Sequence, residues 1–114
     1  MADQPPPDAN PEEVQEKKQR LEELSPAAQI RVATLGNAFC RQQLMRDANR
    51  MVALAAIRSP QITDSEIIRA AGNRALSEAV IRYIAGRKEL VKLYPVKLAL
   101  VGNPKCPLAL ALRF

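Results

Sequence analysis

Leu98-Ala99-Leu100-Val101-Gly102-Asn103-Pro104 is an apolar helical run closed by a helix stop. The same phrase occurs twice more, as Leu54-Ala55-Ala56-Ile57-Arg58-Ser59-Pro60 and as Val32-Ala33-Thr34-Leu35-Gly36-Asn37. The copies are in register at offsets of 22 and 44 residues, so that Ala33, Ala55 and Ala99 coincide, as do Asn37, Ser59 and Asn103. Self-similarity at a fixed period of roughly twenty residues or more marks a helical repeat array, in which each unit buries its apolar face only against its neighbours. The phrase therefore predicts an all-α fold, a short α-solenoid of paired short helices whose task is to present a surface.

The punctuation around the phrase agrees with it. Asn10-Pro11-Glu12-Glu13 places a capping Asn, a first-turn Pro and acids at the positive end of a helix dipole. That helix is expected to reach about Leu24, and its thin apolar stripe of Val14, Leu21 and Leu24 predicts loose docking. Residues 1–10, with Pro5-Pro6-Pro7, read as a disordered Pro-rich tail. Ser25-Pro26 repeats the start signal and leads to Gly36, where the missing Cβ permits a left-handed residue after the last turn. A short helix from about Phe39 to Arg46 follows, and Asp47 is the expected cap of the next one, which ends near Arg58 before Pro60.

Thr63-Asp64-Ser65-Glu66 has the spacing of a capping box, and its helix stops at Gly72-Asn73. Ser77 opens another helix that stops at Gly86, Arg87 to Leu93 is a charged turn of helix or loop, and Tyr94-Pro95 opens the last strongly apolar helix. Leu108 to Phe114 alternates Leu and Ala as a strand does, but its alignment with Asp64 to Ala70 at the offset of 44 favours helix. Residues 25–114 thus read as one helical-repeat domain, preceded by the acidic helix over 11–24.

Val96-Lys97-Leu98-Ala99-Leu100-Val101-Gly102-Asn103-Pro104-Lys105-Cys106-Pro107-Leu108 resembles the leucine-rich repeat variant family. Those bacterial units combine a valine-basic residue helix, an asparagine-proline-x-threonine-proline turn and a leucine-containing second helix. Val52 to Arg69 is a looser copy with Ser59-Pro60-Gln61-Ile62-Thr63 as the turn. The resemblance implies a right-handed superhelix of paired helices, akin to HEAT-like solenoids, over residues 51–114. Cys106 stands where the family has Thr, and Ala38 where it has Pro. The family's founding member also carries an iron–sulfur segment, but two cysteines cannot supply the four thiolates of such a cluster.

Composition narrows the function. Only Phe39, Tyr83, Tyr94 and Phe114 are aromatic, so the core is aliphatic. Residues 1–24 carry seven acids against three bases, whereas residues 25–114 carry five acids against fourteen bases. An acidic segment beside a basic body points to an anionic partner, or to simple solubility. Cys40 and Cys106 fall on equivalent repeat positions, and units one or more widths apart exceed the roughly 7 Å that a disulfide spans between Cα atoms, so free thiols are expected. Residues 1–10 lack the basic start and apolar stretch of a signal peptide, and no run reaches the roughly 20 apolar residues of a membrane span, so a cytoplasmic setting is expected.

The absence of histidine removes His-dependent triads and imidazole metal sites, and no glycine-rich phosphate loop is present. Asp64 and Glu66, the closest acids in the body, are explained by the capping box. No enzyme and no cofactor is therefore expected. One constellation invites a binding role: Leu44-Met45-Arg46, Ile67-Ile68-Arg69, Val80-Ile81-Arg82 and Ala111-Leu112-Arg113 each place an arginine after aliphatics. Stacked repeats would align Arg46, Arg69, Arg82 and Arg113 into a basic ridge for phosphates or an acidic protein segment. The plainer reading is that each arginine lays its methylenes on the apolar seam with its charge in water.

Two functions follow from different classes. One is a non-enzymatic protein–protein interaction module with a protein partner; the other is nucleic-acid binding through the basic surface, weakened by the lack of interleaved aromatics. The apolar end at Leu108, Leu112 and Phe114 further suggests either homo-oligomer formation through this end or its docking against another protein, since a terminal repeat needs a polar cap.

Overall fold

Side-chain oxygens close five of the helix starts among the described residues. Asn10, Ser25, Asn37, Asn49 and Thr63 each accept a hydrogen bond from a backbone amide in the turn that follows, which satisfies a donor that every helix start leaves open. The computed structural model describes residues 10–111, Leu108 by its backbone alone, and every regular element among them is helical. The Pro-rich tail expected over 1–10 lies, Asn10 apart, outside the described residues.

The chain divides into two units, Met1–Gln61 and Ile62–Phe114. The first holds α1 (Pro11–Glu23), α2 (Pro26–Leu35), α3 (Ala38–Leu44) and α4 (Arg50–Ile57). Helix α2 packs on α4, and α3 touches both. Ala33, Val52, Ala53 and Ala56 are fully buried, so small side chains line much of this core and let the helices approach closely. Helix α1 buries no residue. Its tie is polar: the amide of the buried Gln29 donates from Nε2 to the Leu21 carbonyl at 2.9 Å. The buried Arg41 guanidinium donates to the Gly36 carbonyl at 2.7 Å.

The second unit holds α5 (Asp64–Gly72), α6 (Glu78–Ala85), α7 (Lys88–Val91), α8 (Tyr94–Val101) and α9 (Leu108–Ala111). Helix α5 packs on α8, α6 touches α5 and α7, and α7 touches α8. Val80, Ile81, Ile84, Val96 and Leu100 are fully buried, and each aliphatic side chain so removed from water stabilises the unit by about 1.5–3 kcal/mol. The expected capping box is present: Glu66 N donates to Thr63 Oγ1 at 3.3 Å, and Thr63 N donates to Glu66 Oε2 at 2.8 Å.

The repeated phrase has one structural meaning in its second and third copies. Ser59 and Asn103 are each 3% exposed. Ser59 Oγ donates to the Thr34 carbonyl at 2.9 Å and accepts from Gln61 N at 3.3 Å. Asn103 Nδ2 donates to the Ala71 carbonyl at 2.9 Å and to that of Asn73 at 3.3 Å, while its Oδ1 accepts from Lys105 N at 3.0 Å. Thr34 and Ala71 are the penultimate residues of α2 and α5, where carbonyls lack a partner within the helix. In each unit, therefore, the residue two positions past the end of one helix closes the end of the helix packed beside it. The first copy differs: Asn37 is exposed and caps α3 through Cys40 N at 3.0 Å.

Two local expectations are corrected. Asp47 does not cap α4; its carboxylate accepts from Asn49 N at 2.8 Å in a turn that delivers Asn49, and Asn49 is the cap, accepting from Met51 N at 2.9 Å. Gly36 is not left-handed either, its φ and ψ being −79° and −179°. It is glycine for a steric reason: a Cβ there would lie 2.4 Å from the Val32 carbonyl oxygen. At Gly102 the same atom would meet only ordinary contacts at 3.7 Å and beyond. Gly36→Ala is accordingly expected to destabilise by about 1–3 kcal/mol, whereas Gly102→Ala, at helical φ and ψ, should be neutral or stabilise by about 0.4–1 kcal/mol. Thermal unfolding followed by circular dichroism checks the contrast, and equal effects at the two positions would contradict it.

Candidate functional site

Helix α8 is apolar on two sides. Pro95 sits in its first turn and Gly102 ends it. Val96 and Leu100, one turn apart, face the interior and are fully buried. Tyr94, Leu98 and Val101 follow i, i+4 and i+7 spacing, and they stay 67%, 56% and 64% exposed. At 3.6 residues per turn these three side chains fall within an arc of about 60° and extend over about 10 Å. Isolated exposed aliphatics are ordinary, but three on one helical stripe make a contiguous apolar surface of the kind that marks an interaction site. Lys97, three residues after Tyr94 and four before Val101, borders the stripe about 40° beyond Val101, and it is half-buried. In the first unit, exposed Leu35 and Met51 lie on two different helices, and neither belongs to such a row.

Charge in the sequence of the second unit is one-sided. Residues 62–114 carry four acids against nine bases. Of the acids, Glu66 is buried in the capping box, Glu78 accepts from Arg82 Nε at 2.8 Å, and Glu89 accepts from Arg87 Nε at 2.9 Å. Arg87 also lies 5.4 Å from the Tyr83 ring centroid and donates to its hydroxyl at 3.3 Å. A hydrogen bond from its own backbone and another from Arg87 hold the Glu89 carboxyl below its ordinary range. Lys105 Nζ donates to the Leu76 carbonyl at 2.8 Å. Lys88, Lys92 and Lys97 make no ion pair among the described residues. Lys92 stands two residues before Tyr94, and Lys88 one helical turn before Lys92.

The four arginines expected to form a ridge are placed as follows. Arg46 is exposed just beyond α3 in the first unit. It lines a cleft of about 190 Å³ with Lys18, Glu22, Gln29, Gln43 and Asp47, where the two acids offset the two bases. In the second unit Arg69 lies half-buried on α5, and Arg82 on α6 is engaged with Glu78. Arg113 lies outside the described residues, as do Leu112 and Phe114; Leu108 opens α9. No cluster of three or more Cys, Asp or Glu with metal-holding geometry occurs among the described residues, and no helix there is long and apolar enough to cross a membrane.

Sequence reading identified α8 as strongly apolar but missed the stripe. The signal was present: apolar residues at 96 and 100 and again at 94, 98 and 101 exceed what one buried face requires.

Both cysteines are free thiols, Cys40 half-buried and Cys106 buried. Burial pushes the Cys106 thiol up, so less of it is thiolate at any given pH. Cys40 is therefore expected to react with a disulfide reagent at pH 8 at least about tenfold faster than Cys106. Mass mapping of partially modified protein checks the order, and equal rates would contradict it.

The chain matches no family model, and no curated protein or solved structure matches it.

Proposed function

We propose that this chain is a non-enzymatic protein–protein interaction module, a short right-handed α-solenoid of paired helices that docks a protein partner on its exposed helical surface. The observation that carries the reading is the α8 stripe of Tyr94, Leu98 and Val101, left in water by a helix whose other face already supplies the core. The equivalent closures by Ser59 and Asn103 support the repeat reading, because each joins a helix pair in the same way. The resemblance to leucine-rich repeat variant proteins at residues 96–108 is consistent with it and supplies the handedness. The unpaired Lys88, Lys92 and Lys97 favour a second reading, nucleic-acid binding, in which Tyr94 is the stacking aromatic.

Salt separates the two, since phosphate contacts weaken steeply as salt rises and apolar docking does not. Immobilised full-length protein should retain a protein from native lysate at both low and high salt, and Leu98→Asp should lose it. The substitution lies on an exposed position, so its own effect on stability should stay within about 0.5 kcal/mol. Retention of nucleic acid only, released by salt and indifferent to Leu98→Asp, would overturn the proposal in favour of the alternative.

A further inference from the structure

We infer that the occupant of the α8 stripe is an acidic amphipathic helix of a partner protein, its apolar seam laid on Tyr94, Leu98 and Val101 and its carboxylates on Lys92 and Lys97. This rests on the interaction-module reading above and goes further by specifying the partner's chemistry. The shape argument comes from the stripe itself. It is narrow and two helical turns long, which fits the i, i+4, i+7 seam of a single helix. A bilayer offers a plane, and peripheral helices that bind one bury a broad face along a longer segment.

The charge argument selects among helices. Lys97 borders the stripe and Lys92 stands two residues before its first member; neither makes an ion pair among the described residues, and Lys92 keeps only a longer-range attraction to Glu89, whose carboxylate is hydrogen-bonded by Arg87. A basic or neutral helix would leave both charges facing like charge or apolar surface, whereas flanking glutamates pair with them. Lys97 also argues against a second copy of this chain seated face to face. An antiparallel two-fold pairing of α8 on α8 centred on the stripe sets Lys97, near its middle, against Lys97 of the other copy. With three apolar side chains at its centre, the contact falls below the roughly 800 Å² per partner of a stable complex, so the interaction is a transient one.

Fluorescence anisotropy of the full chain with a labelled peptide of about 18 residues, five helical turns, tests this. The peptide carries a Leu seam at i, i+3, i+4 and i+7 with Glu on both flanks. It should bind, and binding should weaken at least about fivefold when every Glu is replaced by Gln, as expected for two lost ion pairs. It should weaken at least about tenfold for a scrambled sequence of the same composition and for the Lys92→Glu, Lys97→Glu variant, in which attraction becomes repulsion. Leu98→Ser should weaken it to a similar degree, with the thermal unfolding curve of either variant unchanged. Equal binding of the Gln peptide, or of the scrambled peptide, overturns the inference. So does Leu98-dependent binding of phosphatidylserine vesicles when the Glu peptide does not bind. If the Glu peptide fails to bind while Leu98→Asp still abolishes protein capture, the occupant is wrong and the module reading stands. If capture ignores Leu98, the module reading itself falls.

Discussion

A helix of seven to ten residues is about half ends. In α2, α3, α4, α5, α6 and α8 the first four amides and last four carbonyls make up about half of the backbone polar groups, and none of these has a partner inside its own helix. In a core made of Ala, Val, Leu and Ile the unsatisfied groups cannot simply be buried, because each would cost about 1–3 kcal/mol. The chain meets this constraint at both ends of its helices. The starts of α2, α3, α4 and α5 are closed locally by Ser, Asn and Thr caps, and the ends of α2 and α5 are closed by Ser59 and Asn103, which arrive from the helix packed alongside. The same two residues accept from amides two positions on, so they shape their own turns while joining two helices.

This division explains what was legible in the sequence. Caps are local, and a residue three positions from its partner amide can be recognised without knowing the tertiary structure; Thr63 and Glu66 were read correctly for that reason. Asp47 was misread because Asn49 offers the same chemistry two positions nearer the helix, and only the course of the chain decides between them. Gly36 shows the opposite error. Its place at a helix end was right and its reason wrong, since contact with the Val32 carbonyl, rather than backbone handedness, demands the missing Cβ. The equivalence of Ser59 with Asn103 was visible as a register, but the carbonyls they reach lie 25 and 32 residues away, beyond the range of any local rule.

The candidate surface was less legible than the fold. Attention to arginines followed the spacing of charges after aliphatic pairs, yet Arg82 is engaged by Glu78 and Arg46 shares a cleft with two acids. Lysines outside ion pairs and an apolar stripe that packing does not use are properties of what remains after the core is assembled. Helix α8 contributes Val96 and Leu100 inward and Tyr94, Leu98 and Val101 outward, so one short segment both holds its unit together and offers a surface. Closure of α5 by Asn103, two residues after α8 ends, fixes that segment against its partner helix and keeps the stripe presented.

Urea unfolding of Asn103→Ala tests this dependence most directly. The substitution leaves the Ala71 and Asn73 carbonyls without their donor and Lys105 N without its acceptor. A loss of about 1–3 kcal/mol is expected, seen as a lower midpoint at unchanged slope. A loss below about 0.5 kcal/mol, the range of an ordinary surface substitution, would contradict the claim that this side chain closes the helix pair.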